Sequence, residues 1–326
     1  MAPTVLRLSM LMTLVFAVVA ELCNPQDKKV LLQIKKDLND PYLLASWDPK
    51  TDCCQWYTVT CDSKTHRINS LILLSDTNFS AQIPPSVGLL PSLETLEFHK
   101  LPKLTGPLQP AIGKLTNLKF LRISWTNISG PIPSFLDRLT SLTVLDLSFN
   151  NLSGSIPGSL SQLPNLKALH LDHNHLTGSI PPSFGSFKSN PDIYLSHNNL
   201  SGPIPTSLGN INFTVLDLSR NRLEGNASAL FGPNKMAQIV DLSRNELSFD
   251  LSKVEFTASL TSLDLNHNEV YGELPKGLTA LNLQYLNVSY NRLCGQIPVG
   301  GKLQSFDVYS YLHNKCLCGS PLPSCT

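Results

Sequence analysis

The sequence has few charges, no excess of either sign, and no cysteine between Cys61 and Cys294. Charged residues make up only 15% of the 326 residues. Arg7 is the one charge within residues 1–20, so the remainder carries 24 Lys and Arg against 24 Asp and Glu. A chain without net charge does not bind nucleic acid through bulk electrostatics, and nucleic acid is therefore excluded as the expected partner.

Long apolar runs are also missing after residue 20. Residues 1–20 combine Arg7, an apolar stretch and the small residues Val18 and Ala20, which is typical of a secretory signal peptide cleaved before Glu21. A membrane anchor at residues 6–20 is the alternative. No later segment reaches the roughly 18 to 20 apolar residues of a membrane helix. The sequence therefore predicts a secreted protein without a transmembrane anchor.

The cysteines lie in two groups at the ends of the chain. These are Cys23, Cys53, Cys54 and Cys61, and Cys294, Cys316, Cys318 and Cys325. Even sets in a secreted chain predict disulfides, and the spacings that zinc requires occur only in part. Vicinal Cys53 and Cys54 are poor partners, so we expect Cys23–Cys53, Cys54–Cys61, Cys294–Cys316 and Cys318–Cys325, although the sequence leaves nine pairings open.

The middle of the chain repeats itself every 23 or 24 residues. Examples are LTVLDLSFNNLSGSIP from 142, LKALHLDHNHLTGSIP from 166 and LTSLDLNHNEVYGELP from 260. Seven close copies match the leucine-rich repeat pattern LxxLxLxxNxL, and looser copies around Leu71, Leu96 and Leu121 bring the count to ten. The alternating leucines predict one short strand per repeat, stacked into a parallel sheet.

An asparagine recurs where each strand bends, and a buried amide there can satisfy backbone groups of adjacent coils. The positions are Asn150, Asn174, Asn198, Asn221, Asn245, Asn268 and Asn291. The Gly and Ile-Pro that follow predict a second short extended segment. Stacked coils bury leucines only against neighbours, so both ends need caps. Asn24 and Pro25 predict a capping helix whose apolar face carries Leu31, Ile34 and Leu38.

These patterns predict an α/β solenoid, a right-handed superhelix of about ten leucine-rich repeats with a parallel concave β-sheet, short convex helices and disulfide-bonded caps. The expected organisation is a signal peptide (1–20), an N-terminal cap (21–65), repeats (66–298) and a C-terminal cap (299–326).

A cluster of His170, Asp172, His173 and His175 raises the question of a metal or acid/base site. His170 and His173 occupy variable positions of the repeat, and His175 lies on the far side of Asn174. We therefore expect the four groups not to converge on one ion. No Ser or Cys stands apart from the repeats as a nucleophile, so no enzyme activity, metal or cofactor is predicted.

Strand positions beside the leucines should face outward on the concave side, where solenoids commonly bind partners. One column contains Glu97, Arg122, Asp146, His170, Tyr194, Asp217, Asp241 and Asp264, and the next Asp172, Ser196, Ser219, Ser243 and Asn266. Its acidic groups suggest a partner with a basic surface. A solvated face without a ligand is the simpler alternative.

The repeat form LxxLxLSxNxLSGxIPxxL and the ends TDCCQWYTVTCD and KCLCGSPLPSCT resemble plant polygalacturonase-inhibiting proteins over the whole chain after residue 20. The resemblance implies a plant cell-wall defence protein whose concave face docks on fungal or insect endopolygalacturonases. We expect the protein to be a monomer. It implies that Asp146, Asp172 and Asp217 belong to the acidic site and Gln238 to its edge. Lys167 and Asp192 occupy further recognition positions. The alternatives are a receptor-like or co-receptor module and an ice-binding protein.

Two further surface features are predicted. N-glycosylation sequons occur at Asn78, Asn127, Asn151, Asn199, Asn212, Asn226 and Asn287. Asn287 is the least favoured because it lies in a concave strand, whereas Asn127 and Asn151 are expected outside the strands. A stripe before the ladder asparagines, formed by His173, His197, Arg220, Arg244 and His267, would gain charge at mildly acidic pH and bind pectin, as the resemblance also implies. Solvated bend residues are the alternative.

Overall fold

The computed structural model describes residues 22–325, so the predicted signal peptide lies outside the described residues. The described chain begins with helix α1 (Pro25–Asp37), the predicted capping helix. The Asn24 side chain caps it by accepting hydrogen bonds from the backbone N–H groups of Gln26 and Asp27. Its predicted apolar face is buried against the first coil, as Leu31 and Ile34 show.

A buried ion pair ties this helix to the repeats. Asp27, which is 1% exposed, accepts two hydrogen bonds of 2.8 Å from the Arg67 guanidinium and one of 2.9 Å from the N–H of Ile68. Trp47 is fully buried in the same cap and stacks on Trp56 with ring centroids 5.5 Å apart. The N-terminal cap therefore closes the apolar end of the solenoid with both packing and a bidentate charge pair.

Within residues 22–325, ten parallel strands, one per repeat, form the concave sheet, which confirms the predicted repeat count. They are β2 (Ile68–Leu74), β4 (Thr95–Gly106), β5 (Phe120–Pro131), β6 (Val144–Asp146), β8 (Ala168–His170), β10 (Asp192–Tyr194), β12 (Val215–Asp217), β14 (Ile239–Asp241), β16 (Ser262–Asp264) and β18 (Tyr285–Asn287). Strand β1 (Val59–Cys61) pairs antiparallel with β2 at the N-terminal edge.

The second extended segment of each repeat is also a strand. Beside the long strands β4 and β5, the second set contains β3 (Ser80–Gln82), β7 (Asn151–Ser155), β9 (His175–Gly178), β11 (Asn199–Pro203), β13 (Arg222–Gly225), β15 (Glu246–Leu247), β17 (Tyr271–Gly272), β19 (Arg292–Gln296) and β20 (Cys316–Cys318). The expectation that Asn127 and Asn151 lie outside strands is wrong. Pairing in this second set extends back almost to the ladder asparagine, so it includes both residues.

The convex side returns through 3-10 helices, mostly one turn long, which are the predicted short helices. They are Pro85–Leu89, Pro110–Lys114, Ser134–Arg138, Gly158–Gln162, Pro182–Ser186, Thr206–Asn210, Ser228–Leu230, Leu251–Lys253 and Lys276–Ala280. The caps add Tyr42–Leu44, Cys53–Gln55, Leu303–Ser305 and Val308–Ser310. Adjacent turns pack closely, because a Cβ on Gly209 would overlap the Ala229 carbonyl oxygen. No helix within residues 22–325 is long and apolar enough to cross a membrane.

The asparagine ladder bonds each coil to the one before it. Asn174 Nδ2 donates to the carbonyl of Leu147 in the preceding coil (2.9 Å) and to that of Leu171 in its own (3.1 Å). Its Oδ1 accepts from the N–H of Leu152, again in the preceding coil (3.0 Å). The same geometry continues to Asn314, inside the predicted C-terminal cap. The cap thus contains one more ladder position than the sequence repeats indicate, and the 66–298 boundary of the repeats stays a prediction.

All four expected disulfides are present, namely Cys23–Cys53, Cys54–Cys61, Cys294–Cys316 and Cys318–Cys325. The first fastens a residue just before the capping helix α1 to the segment after it, and the second fastens that segment to β1. The last two fasten the tail to the final coil, where buried Tyr311 donates its hydroxyl to the carbonyl of Leu303 at 2.7 Å. Both ends of the leucine core are therefore covered and covalently closed.

Candidate functional site

The outward residues of the concave strands form one row across the sheet, as predicted. Consecutive members are direct neighbours in the strand register, and we call this row the concave column. Its members are Glu97, Arg122, Asp146, His170, Tyr194, Asp217, Asp241, Asp264 and Asn287. Because equivalent positions on parallel strands lie about 4.8 Å apart, the groups interact electrostatically along the whole row.

The N-terminal part of the column is internally neutralised. The guanidinium of Arg122 lies 3.0 Å from a carboxylate oxygen of Glu97 and 2.9 Å from one of Asp146. The other Asp146 oxygen accepts hydrogen bonds from the backbone N–H and hydroxyl of Ser148. Asp146 is only 8% exposed. This predicted binding residue is therefore held by its own neighbours and offers little free charge to a partner.

Three carboxylates stand next to one another in the C-terminal part of the column, on β12, β14 and β16. Within residues 22–325, none of Asp217, Asp241 and Asp264 is in a salt bridge. Each accepts a hydrogen bond from the backbone N–H two residues later, at 2.9 to 3.0 Å. This segment therefore carries three neighbouring acidic groups that no salt bridge of the described chain neutralises.

Burial changes how these acids titrate. Desolvation and, to a smaller extent, the carboxylates of Asp264 and Asp217 raise the pKa of Asp241 to about 6, although the hydrogen bonds from Ser243 lower it. Desolvation also raises the pKa of Asp264, while hydrogen bonds from Asn266 and Tyr285 oppose it. Tyr285 donates its hydroxyl to Asp264 at 3.0 Å. A cationic partner would replace the missing counter-charge.

The histidine cluster gathers only in part. Asp172 has a carboxylate oxygen 3.1 Å from Nδ1 of His173 and another 4.0 Å from Nδ1 of His170. Burial raises the pKa of Asp172, against the effect of the His173 hydrogen bond. His175 lies apart on β9, as expected. Within residues 22–325, the residue groups with metal-like spacing contain Cys23, whose sulfur is bonded in a disulfide.

The predicted edge residue Gln238 and the two further recognition positions, Lys167 and Asp192, lie where concave strands begin. Lys167 and Gln238 are exposed and immediately precede β8 and β14. Asp192, the first residue of β10, instead uses one carboxylate oxygen to accept the N–H groups of Thr214 and Val215, each at 2.8 Å. Lys167 and Gln238 are therefore available to a partner, whereas Asp192 serves mainly to join two coils.

The opposite edge is lined by a row of stacked rings that the sequence analysis recognised only in part. Each member directly precedes a ladder position and has a left-handed backbone with φ between 52° and 60°. We call it the bend row; it contains Trp125, Phe149, His173, His197, Arg220, Arg244, His267, Tyr290 and His313. Neighbouring rings stack with centroids 3.9 to 4.1 Å apart. The predicted stripe contains only charged or titratable residues. It therefore leaves out the aromatic members, although all members share one position in the repeat.

Two histidines of the bend row, His197 and His267, are harder to protonate than an ordinary histidine. Burial lowers the pKa of His197, and the positive charge of His173 and Arg220 lowers it further. Burial and Arg244 likewise lower the pKa of His267. Mild acidity therefore charges the five members of the predicted stripe less completely than the sequence indicates. These two histidines gain charge at a lower pH than an ordinary histidine does.

Comparison with known proteins follows the same architecture. Family models of the leucine rich repeat N-terminal domain match residues 24–62, and leucine rich repeat models match 116–176, 192–211, 259–281 and 282–301. A polygalacturonase inhibitor of Pyrus communis is 69% identical over 94% of this chain and 93% of its own length. The chain belongs to the polygalacturonase inhibitor family. Family proteins of Vitis vinifera and Arabidopsis thaliana are 66% and 60% identical over the same share of the chain.

Solved structures place this polygalacturonase inhibitor family member among plant leucine-rich repeat proteins. A plant ice-binding protein superposes with a TM-score of 0.92 at 54% identity, covering 93% of this chain and 98% of that one. The PEPR1–AtPEP1 complex gives a TM-score of 0.74 at 31% identity, covering 90% of this chain and 45% of that one. Similar coils therefore occur in proteins of different function, so function has to be argued from the surface residues.

Proposed function

We propose that this protein is a secreted, non-enzymatic inhibitor of endopolygalacturonases that docks on its target through the concave face and limits pectin degradation at the plant cell wall. The observation that carries the proposal is the 69% identity to the Pyrus communis polygalacturonase inhibitor over nearly the full length of both chains. The unpaired carboxylates of Asp217, Asp241 and Asp264 support the same face, because they suit a partner with basic residues.

The geometry favours some predicted contact residues over others. Asp217, Asp241 and Asp264 lack salt bridges within the described chain, and Tyr194 and His170 lie beside them in the column. Lys167 and Gln238 are exposed at the edge where the strands begin. Asp146 and Asp192 are bonded internally and would contribute mainly by holding the surface in shape.

The proposal predicts a specific loss on neutralising Asp217. Asp217→Asn keeps an oxygen that can accept the Ser219 hydrogen bonds but removes the charge, so the fold is expected to be retained. We expect inhibition of a susceptible endopolygalacturonase to weaken by about tenfold or more, as for a desolvated interfacial charge. The measurement is an inhibition titration against a panel of fungal and insect enzymes.

Glu255→Gln is the matched control, because Glu255 is exposed and lies outside the concave column. Equal inhibition by wild type, Asp217→Asn and Glu255→Gln would contradict docking on the acidic segment. Failure of the wild type against every enzyme of the panel would contradict the inhibitor role itself. Ice recrystallisation and peptide-binding assays on the same samples would then test the two alternatives.

We also propose that the cationic part of the bend row, His173, His197, Arg220, Arg244 and His267, attaches the protein to pectate. Arg220 and Arg244 lie in adjacent repeats between histidine neighbours, so positive charge is concentrated there. Affinity for immobilised polygalacturonate should increase as the pH falls from about 7 to 5 and decrease with salt. It should drop when Arg220→Gln and Arg244→Gln are combined.

The control for this binding test is the pair Arg138→Gln and Lys276→Gln, which removes two exposed charges from the convex helices. A general charge effect would weaken binding equally in both double variants. If the affinity for polygalacturonate changes with neither pH nor salt, the proposal is contradicted and the bend row has only a structural role.

A further inference from the structure

The bend row ends in a ring with one open face. Phe149 is covered on both sides, by Trp125 and by His173, with centroid distances of 3.9 Å each. Trp125 stacks on Phe149 alone, and no Lys or Arg within residues 22–325 lies over its ring. The Trp125 side chain is 48% exposed. About half of the Trp125 side chain is therefore exposed at one fixed point of the surface, and no second ring of the described chain stacks on it.

A depression of about 480 Å³ lies against this ring. It is lined by Pro102, Trp125, Thr126, Asn127, Phe149, Asn150, Asn151 and His173. It occurs where the register between β4 and β5 shifts between Leu101 and Thr105, so the coil carrying Pro102 does not continue the regular stacking. Its size falls in the range of small-ligand sites, roughly 300 to 1,000 Å³.

The depression also contains the acceptor of a glycosylation sequon. Asn127 lies two residues after Trp125 and both line the same recess. Within the described residues, Asn127 Nδ2, the atom to which an N-linked sugar is attached, donates no hydrogen bond. Its Oδ1 accepts from Asn151 Nδ2, which can persist after linkage. Asn127 and Ser129 are both exposed, so the sequon is accessible.

We propose that Trp125 is the stacking platform for the N-linked glycan on Asn127. One face of a pyranose ring carries C–H bonds with partial positive charge, and it matches the negative face of an indole. The first N-acetylglucosamine would fill the depression and cover the open Trp125 face. Asn151 also follows a ring by two residues, but both faces of Phe149 are occupied, so the platform serves Asn127. This assignment does not depend on the proposed inhibition.

The test is a cycle of four proteins secreted from plant cells: wild type, Ser129→Ala, Trp125→Ala, and the two combined. Peptide mapping should find a glycan on Asn127 in the wild type and none after Ser129→Ala. Losing that glycan should lower the thermal midpoint by about 1 to 3 °C when Trp125 is present and leave it unchanged when Trp125 is absent. An unmodified wild-type Asn127, or equal shifts in both backgrounds, would overturn the proposal.

The matched control is Ser228→Ala, which removes the sequon at Asn226, where Glu224 rather than a ring lies two residues before. Its effect should be the same in both Trp125 backgrounds. NMR of the glycoprotein gives a second readout, since the N-acetyl methyl signal of a stacked sugar moves upfield in the ring current. The shift should persist in Trp125→Phe and vanish in Trp125→Ala. A methyl signal at the free-sugar position in the wild type would overturn the proposal independently of stability.

Discussion

Asp241 illustrates how the column controls a single charge. Its pKa of about 6 in the folded protein exceeds the ordinary value near 3.9 of an unfolded chain. The folded state therefore binds more protons between about pH 4 and 6, and the free energy of unfolding falls as the pH rises through that window. Asp241 is therefore only partly ionised at mildly acidic pH.

We expect Asp241→Asn to stabilise the protein at neutral pH. The variant removes the cost of ionising a buried carboxyl, which is worth roughly 1 to 3 kcal/mol at pH 7. The difference from wild type should vanish below about pH 4, where the wild-type acid is protonated in both states. Denaturant unfolding at a series of pH values measures it, with Glu255→Gln as the exposed control. A difference that is the same at pH 4 and pH 7 would contradict this origin.

At the residue scale, the sequence predicted where a side chain lies on the surface better than it predicted which neighbouring groups contact that side chain. The repeat pattern placed Asp146, Asp217 and Asp241 in one column, because strand alternation determines which residues share a face. It did not predict that Asp146 is neutralised, since this requires Arg122 to reach across from the neighbouring strand. The sequence pattern also did not single out Trp125, because the comparison of bend positions was restricted to charged residues and tryptophan is uncharged.

The ladder asparagine is the element-scale link between coils. Asn174 is buried and satisfies backbone groups of both its own coil and the preceding one. We expect Asn174→Ala to lower stability by roughly 2 to 4 kcal/mol, because it leaves several buried polar groups without partners. His175→Ala is the neighbouring control, since that side chain is exposed. Chemical denaturation measures both, and equal midpoints would contradict the proposed role of the ladder.

The sequence predicted the elements in type but not in extent. One concave strand per repeat followed from the alternating leucines, and the helix from its asparagine and proline. The second strands begin earlier than the Gly and Ile-Pro positions indicated, because pairing between coils continues into the residues after the bend. Neither this extension nor the irregular register at Pro102 has a local sequence signal, since both depend on how neighbouring coils meet.

At the scale of the whole molecule, stability should be local because each repeat contacts mainly its neighbours. Replacing Cys294 and Cys316 together by serine should cost roughly 2 to 5 kcal/mol at the C-terminal end. Hydrogen exchange should therefore accelerate in the last coils and stay unchanged near α1. The converse pair, Cys54→Ser with Cys61→Ser, should produce the mirror-image pattern. Uniform acceleration along the chain in either variant would contradict this local behaviour.

The ladder also determines the order in which the coils can be completed during synthesis. Each asparagine side chain reaches back to the preceding coil, both as donor and as acceptor. The ribosome synthesises the chain from the N-terminus. The backbone hydrogen bonds of each coil are therefore complete only after the asparagine of the following repeat has been added. Asn314 completes the last coil, next to the disulfide formed by Cys316. A nascent chain halted before Asn314 would therefore end in a coil whose backbone groups lack these hydrogen bonds.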